Sequence, residues 1–403
     1  MSTSLLYHSF GIRGYQYVST DFQNGCTIYT IRQDPKTLRC AACGSREVQP
    51  RGHVERQFRA VPIGSRPTII VFPVPRIACQ TCGVVRQVNI DFAYPRRSYT
   101  KGFERYVLEL SLHMTIHDVA RHLNVGWDLV KDIQKRYLRR RFAKPKLKGL
   151  RQLAIDEIAV SKGHRYVTVV MDLKTGAVVF VGDGKGADAL KPFWKRLNRH
   201  KAKIEAVAID MSPAYQEAVR TNLKGAAIVF DHFHVVKLFN DKLTGLRRAV
   251  YNQAKGEQKK VLKGVRWLLL KAAENLNQER DEKTRLKEAL ELNAPLATAY
   301  YLKEDLRQFW SQASKTKAEA FLNDWIGRAK ATAIRQLRQM AKTLDKHRAG
   351  LLAYFDYPIS TGPLEGTNNK IKTMKRQAYG FRDMEFFKLK ILAIHEAELK
   401  LIG

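Results

Sequence analysis

The sequence is poor in acidic residues. Its 403 residues hold 38 Asp and Glu against 71 Lys and Arg, a formal net charge of +33. Such an excess opposes compaction through self-repulsion. Its usual counterpart is a polyanion, because each phosphate neutralised by Lys or Arg releases condensed counterions. The basic residues are spread along the whole chain rather than gathered in a tail, which points to a protein that meets nucleic acid on several surfaces. Long apolar runs are also missing. VRWLLL (265–270) falls far short of the roughly 18–20 residues that span a bilayer, and residues 1–21 carry no continuous apolar stretch of the signal-peptide kind. No membrane partner is expected, and the chain reads as cytoplasmic. With only five cysteines in a reducing compartment, disulfides are not expected. No GxxxxGK phosphate loop and no internal repeat is present.

What is there divides into five stretches. Residues 1–98 are rich in Val, Ile, Pro and Gly and suggest small β-ribbons around the cysteines. Residues 99–147 switch to helical periodicity and end in the basic run Arg139, Arg140, Arg141. Residues 148–235 alternate in type. LAIDEIAV (153–160), YVTVVMDL (166–173) and AVVFVGDG (177–184) read as three strands joined by turns containing Gly163 and Gly176. A helix (187–198), the strand IEAVAID (204–210), a helix opened by Pro213 and the strand AAIVFD (226–231) follow. That order predicts a ribonuclease-H-like α/β sheet. Residues 236–350 lose strand character and are periodic at helical spacing, as an all-α insertion would be. Residues 351–403 return to the α/β unit with one helix from about Pro363 to Lys400. The fold class is multidomain: zinc ribbon, helix-turn-helix, and an α/β catalytic domain interrupted by helices.

Cys40-Ala-Ala-Cys43-Gly and Cys79-Gln-Thr-Cys82-Gly form two CxxCG knuckles. Four thiolates so spaced suit tetrahedral Zn²⁺, and a Gly after each pair can take the left-handed turn that aims amides at sulfur. TIHDVARHLNVGWDLVKDIQKRYL (115–138) has the periodicity of a helix-turn-helix, with Asn124-Val125-Gly126 at the turn. Its second helix would enter a major groove with Asp128, Lys131 and Gln134 outward, while Arg136 and Arg139, Arg140 and Arg141 contact phosphates.

The chemistry is expected in the α/β region. Asp156 lies within the first strand, Asp210 at the end of the fourth and Asp231 at the end of the fifth. In the predicted order the first and fourth strands are neighbours, so Asp156 and Asp210 face one another, and a divalent cation removes their repulsion. A one-residue register error would exchange Asp156 for Glu157. Glu365 falls at the third position of a helix opened by Gly362-Pro363, where the helix dipole alone favours a carboxylate by about 0.3–1 kcal/mol. Asn369, Lys372 and Arg376 follow at helical spacing, a face suited to phosphate. Three carboxylates holding two Mg²⁺ or Mn²⁺ ions serve in-line phosphoryl transfer. Trp267, Trp310 and Trp325 read as core residues, with stacking on a displaced base as the alternative.

The CxxC…CxxC ribbon, helix-turn-helix, IDE strand, VAIDMSPAY strand end and PLEGTNNKIK helix together resemble the ISL-three family of bacterial insertion-sequence transposases. The resemblance implies a DDE triad at Asp156, Asp210 and Glu365 and a helical insertion before the Glu. It also implies a nucleoid-associated protein acting as a homodimer on double-stranded DNA, cutting terminal inverted repeats and joining the 3′ ends to target DNA. Asp231-His232-Phe233-His234 resembles an auxiliary Asp-x-x-His pair, in which His234 supports the active site or contacts DNA. Two other functions share these modules: a DNA-binding regulator with a silent nuclease-like domain, and a structure-specific metal-dependent nuclease.

Overall fold

The computed structural model describes residues 4–161 and 165–395. The chain divides into two compact units, the first over residues 1–143 and the second over 144–395.

The first unit opens with a short helix, α1 (Leu5–Phe10), followed by β1 (Tyr15–Gln23) and β2 (Cys26–Gln33). Asn24 and Gly25, both at positive φ, make the tight turn that antiparallel strands favour. β3 (Val48–Ile63) and β4 (Arg66–Cys79) form a long antiparallel ribbon, and β5 (Val85–Gln87) pairs with β4. The order is β1-β2-β4-β3. The ribbons are longer than the sequence suggests, because alternating burial in β4 continues through two prolines, Pro73 and Pro75, into the cysteine knuckle. Phe58, Phe72 and Phe92 pack edge to face inside it.

Three helices complete this unit: α2 (Lys101–Leu110), α3 (Ile116–Leu123) and α4 (Trp127–Phe142). The Thr115 hydroxyl accepts from the Asp118 amide to start α3. Asn124, at φ 49°, ends it, and Gly126 opens α4, so the predicted helix-turn-helix turn lies where the sequence places it. Val119, Leu123, Val130 and Ile133 close the hairpin against Phe103 and Val107.

In the second unit β6 (Gln152–Ser161), β7 (Arg165–Asp172) and β8 (Val178–Asp183) are successive antiparallel strands. After α5 (Ala187–His200), β9 (Ala206–Ile209) pairs parallel with β6. After α6 (Pro213–Asn222), β10 (Ala227–Phe230) pairs parallel with β9. The order is β10-β9-β6-β7-β8, with the first strand central. Gly176 closes the β7–β8 turn at φ 72°, whereas Gly163 lies outside the described residues.

Both faces of this sheet are covered, which explains the nearly unbroken apolar runs of β7, β8 and β9. Leu153, Ile155 and Val207 pack against Phe193 and Leu197 of α5 and Tyr215 of α6. Ala154, Ile158 and Val169 face the other way, onto Leu364, Ile371 and Phe387.

From His232 to Phe355 every named element is helical. These are α7 (His232–Gln253), α8 (Gly256–Gly264), α9 (Glu282–Glu291), α10 (Ala294–Arg307), α11 (Lys315–Ala331), α12 (Arg335–Lys346), α13 (Arg348–Leu352) and short 3₁₀ turns. Trp325 is fully buried, and its indole donates to the Leu302 carbonyl at 2.9 Å. Trp310 is half-buried, its ring against His232. Trp267 departs from the core expectation: it is 64% exposed, with the Arg266 guanidinium over its ring.

The single final helix expected from the sequence is two: α14 (Gly362–Gln377) and α15 (Met384–Leu392). Tyr379 and Gly380, at φ 50° and 98°, end the first, and the Asp383 carboxylate caps the second by accepting from the Phe386 amide. Residues 396–400 of the expected helix lie outside the described residues. No helix among the described residues is long and apolar enough to cross a membrane.

Candidate nucleic-acid and metal sites

At the open end of the β3–β4 ribbon, Cys40, Cys43, Cys79 and Cys82 bring their sulfurs within 4.8 Å of one another. Sγ of Cys40 lies 3.6 Å from that of Cys82, and Sγ of Cys43 lies 3.6 Å from that of Cys79. Zinc–sulfur bonds of about 2.3 Å in a tetrahedron set sulfurs roughly 3.8 Å apart, so the cluster fits Zn²⁺. Gly44 and Gly83, at φ 76° and 68°, turn their amides back to the carbonyls of Cys40 and Cys79. The Ala42 amide meanwhile donates to the Cys40 sulfur. The backbone amides of Cys43 and Ala42, the first most strongly, bring the Cys40 thiol down to about 6. The Cys79 thiol is lowered as well, by the backbone amide of Cys82, whereas Cys43 and Cys82 are raised by their sulfur neighbours, so thiolate is favoured at Cys40 and Cys79 only.

On α4, Asp128, Arg139, Arg140 and Arg141 are exposed and Lys131 is half-exposed. Two of the residues assigned to DNA are instead structural. Gln134 is 4% exposed, and its amide donates to the Ser111 hydroxyl at 2.8 Å. It lies on the buried stripe with Val130 and Ile133, so it does not face outward. Arg136 is half-buried; it pairs with buried Glu104 and lies over the rings of Tyr94 and Tyr99.

The acidic residues converge where β6 leaves its parallel pairing with β9, and at the carboxyl ends of β9 and β10. Pairing of β6 with β9 ends at Ala154↔Ala208, so Asp156 and Asp210 each stand two residues beyond it. Phe230 pairs with Ile209, and Asp231 follows at once. Alternation along β6 turns Asp156 to the face covered by α14 and Glu157 to the opposite face. There Glu157 accepts a 2.7 Å hydrogen bond from the Tyr215 hydroxyl. The strand's pleat therefore sets Asp156, and not Glu157, on the face that α14 covers.

Asp156 is held at both oxygens. Oδ1 accepts from the Glu157 amide at 2.8 Å, and Oδ2 accepts from the Asn368 side-chain amide at 2.8 Å. Burial pushes its carboxyl up to about 6, nearby Asp210 and Glu157 push the same way, and the Glu157 amide and His234 pull down. Asp210 Oδ1 accepts from the Ser212 amide at 2.9 Å, which shapes the turn into α6.

Glu365 lies in the first turn of α14, as its position after Gly362-Pro363 requires. Its Oε1 is 4.0 Å from Nε2 of His234. Burial raises its carboxyl above the usual range, and Asp231 adds to this. Asp231, His234 and Glu365 each bring one ligand atom within 4.8 Å of the others; Asp156, Asp210 and Glu365 do not meet that separation as a set.

Asn369, Lys372 and Arg376 are exposed along α14. The amide that reaches Asp156, however, is that of Asn368. Its sequence signal is its place on the buried stripe, four residues after Leu364 and three before Ile371. Lys375, also not anticipated, donates to the Val160 carbonyl and ties α14 to β6.

Three family profiles match the chain in order. A zinc finger of the transposases IS204, IS1001, IS1096 and IS1165 matches residues 36–82. The helix-turn-helix domain of transposase family ISL3 matches residues 88–138, and the ISL3 DDE domain described as "Transposase" matches residues 153–391. The transposase for insertion sequence element IS1001 of Bordetella parapertussis is 34% identical over 90% of each chain. The transposase for insertion sequence element IS1557 of Mycobacterium tuberculosis is 29% identical over 85% of this chain and 82% of its own. Among solved structures, the Drosophila P element transposase strand transfer complex overlaps 62% of this chain and 77% of that one. Its 13% identity and TM-score of 0.32 carry no weight here. With zinc ribbon, helix-turn-helix and DDE domain in succession, the chain belongs to the ISL-three family of DDE transposases.

Proposed function

We propose that the protein binds the terminal inverted repeats of an insertion sequence, cleaves the element ends by metal-dependent hydrolysis and joins the freed 3′ ends to target DNA. Asp156, Asp210 and Glu365 serve as the catalytic carboxylates. The observation that carries this reading is the emergence of Asp156 and Asp210 side by side from parallel strands β6 and β9, under the helix that carries Glu365. The order β10-β9-β6-β7-β8, with two antiparallel and two parallel pairings, supports reading this sheet as ribonuclease-H-like and helices α7 to α13 as an insertion before α14.

Carboxylates whose burial and mutual proximity disfavour their charge fit a divalent cation, Mg²⁺ or Mn²⁺. Bound there, the ions supply the positive charge that an in-line displacement at phosphorus needs. The protein's own part is positioning. Asn368 fixes the Asp156 carboxylate, Tyr215 draws Glu157 away from it, and Lys375 anchors α14 to β6. Asn369, Lys372 and Arg376 on α14 contact the phosphates of the bound end. On α4, Asp128 and Lys131 face bases while Arg139, Arg140 and Arg141 meet phosphates, and a homodimer pairs two element ends. Strand joining by the purified protein on a terminal-repeat duplex with Mg²⁺ tests this. Products joined at 3′ ends support it, and cleavage with no joining reduces it to a nuclease.

A further inference from the structure

The strongest unexplained feature is the group Asp231, His234 and Glu365 beside the Asp156–Asp210 pair. Asp231 follows β10 directly and is 1% exposed. One of its oxygens accepts from the Thr361 amide at 3.3 Å, but the other, Oδ2, is buried and meets no hydrogen-bond donor. Nε2 of His234, in the first turn of α7, is likewise buried and unpartnered. A buried carboxylate oxygen and a buried imidazole nitrogen without partners each carry an uncompensated desolvation penalty. Leaving two such atoms beside a third carboxylate makes little sense unless something binds between them. Their separations come close to those of ligands sharing one ion. Metal–ligand bonds of about 2.0–2.2 Å place donor atoms up to roughly 4.2 Å apart. The His234–Glu365 distance is 4.0 Å, and all three donor atoms lie within 4.8 Å.

We propose that Asp231, His234 and Glu365 form a divalent-cation site of mixed imidazole and carboxylate ligation. The ion clamps the first turn of α14 to the β10–α7 corner. One nitrogen and two oxygen donors suit Mn²⁺ or Zn²⁺ better than Mg²⁺ or Ca²⁺, which prefer oxygen alone. The hydrogen bonds of Asp156 and Asp210 come from Glu157, Asn368 and Ser212 and not from His234, so this is an additional position, reached through Glu365. It does not depend on the assignment of Asp156 and Asp210 as catalytic groups.

Mn²⁺ bound to the full-length, zinc-loaded chain provides the test, read by pulsed electron paramagnetic resonance for coupling to ¹⁴N. Nitrogen coupling is expected in the wild type and in the double variant Asp156→Asn/Asp210→Asn. It is expected to vanish in His234→Gln, with Mn²⁺ affinity weakened roughly tenfold or more. Coupling absent from the wild type, unchanged in His234→Gln, or lost in the double variant overturns the site. The rise of Tm with added Mn²⁺ is a second readout. It should persist in the double variant and be reduced in both His234→Gln and Glu365→Gln, and an undiminished rise in either of these overturns the proposal. Terminal-repeat cleavage by the same proteins keeps the two readings apart. Wild-type cleavage by Asp156→Asn/Asp210→Asn removes the catalytic assignment and leaves the cation site standing.

Discussion

The side-chain amide of Asn368 donates to Oδ2 of Asp156 at 2.8 Å across 212 residues of sequence. This bond fixes the orientation of the central-strand carboxylate from the helix that also carries Glu365. Asn368→Ala should lower terminal-repeat cleavage by roughly ten- to a hundredfold, as lost support for a ligand usually does. DNA affinity should stay unchanged, because Asn368 is buried. Asn369→Ala, at an exposed position, should weaken DNA binding with little change in single-turnover cleavage. Equal effects of the two on binding and cleavage contradict the assignment. Cleavage against pH supplies a readout that a merely structural role would not move: Asn368→Ala should shift its acidic limb upward, since the lost bond favoured the carboxylate.

The pleat of β6 makes a second distinction. Glu157 is bound by Tyr215 on the face away from α14, so Glu157→Gln should leave metal-dependent cleavage within about threefold of wild type. Asp156→Asn should abolish it. A Glu157→Gln enzyme as inactive as Asp156→Asn would mean that the register of the active strand is displaced by one residue.

Burial holds the Asp156 carboxyl near 6, against an unfolded value near 4, and raises that of Glu365 as well. Between those values the folded chain keeps a proton that the unfolded chain has released. The stabilisation is therefore full below about pH 4 and is lost as pH rises through about 6. Without added Mg²⁺ or Mn²⁺ and with zinc retained, the wild type should lose about 1 kcal/mol relative to Asp156→Asn between pH 5 and pH 7. Urea unfolding of both proteins at the two pH values checks this. Parallel curves contradict the burial of the charge.

Zinc in the ribbon should be present at about one ion per chain. Cys79→Ser or chelation should unfold the open end of the β3–β4 ribbon and weaken terminal-repeat binding, while the second unit, a separate compact body, keeps its helical signal. Metal analysis and circular dichroism measure both. Less than one zinc per chain removes the ribbon assignment.

Much of this arrangement is legible in the sequence, for physical reasons that also mark where legibility ends. The knuckles, the turn at Asn124–Gly126 and the alternation of strands and helices over 148–235 are local patterns, and local sterics and periodicity dictate them. Long-range pairing is not local. Nothing near Gln134 announces that Ser111 accepts its amide, nor near Arg136 that buried Glu104 awaits it, so both read as outward-facing on α4. On α14, helical spacing of four residues from Glu365 points to Asn369. Counting from the buried positions Leu364 and Ile371 identifies Asn368 instead. The break between α14 and α15 was hidden because Tyr379 supplies a left-handed residue where Gly380 alone gave little warning. The proximity of His234 to Glu365 depends on two helix starts brought together by the sheet, which no spacing in the sequence encodes.

Glu365 is the carboxylate with the simplest innocent explanation, since any acid in the first turn of α14 gains from the helix dipole. The most direct measurement is therefore Mg²⁺-dependent cleavage of a terminal-repeat duplex by wild type, Asp156→Asn, Asp210→Asn and Glu365→Gln, each checked for folding and DNA binding. The account predicts that all three substitutions lower cleavage at least about a thousandfold, roughly 4 kcal/mol of barrier, with DNA still bound. Cleavage by Glu365→Gln at the wild-type rate would contradict it.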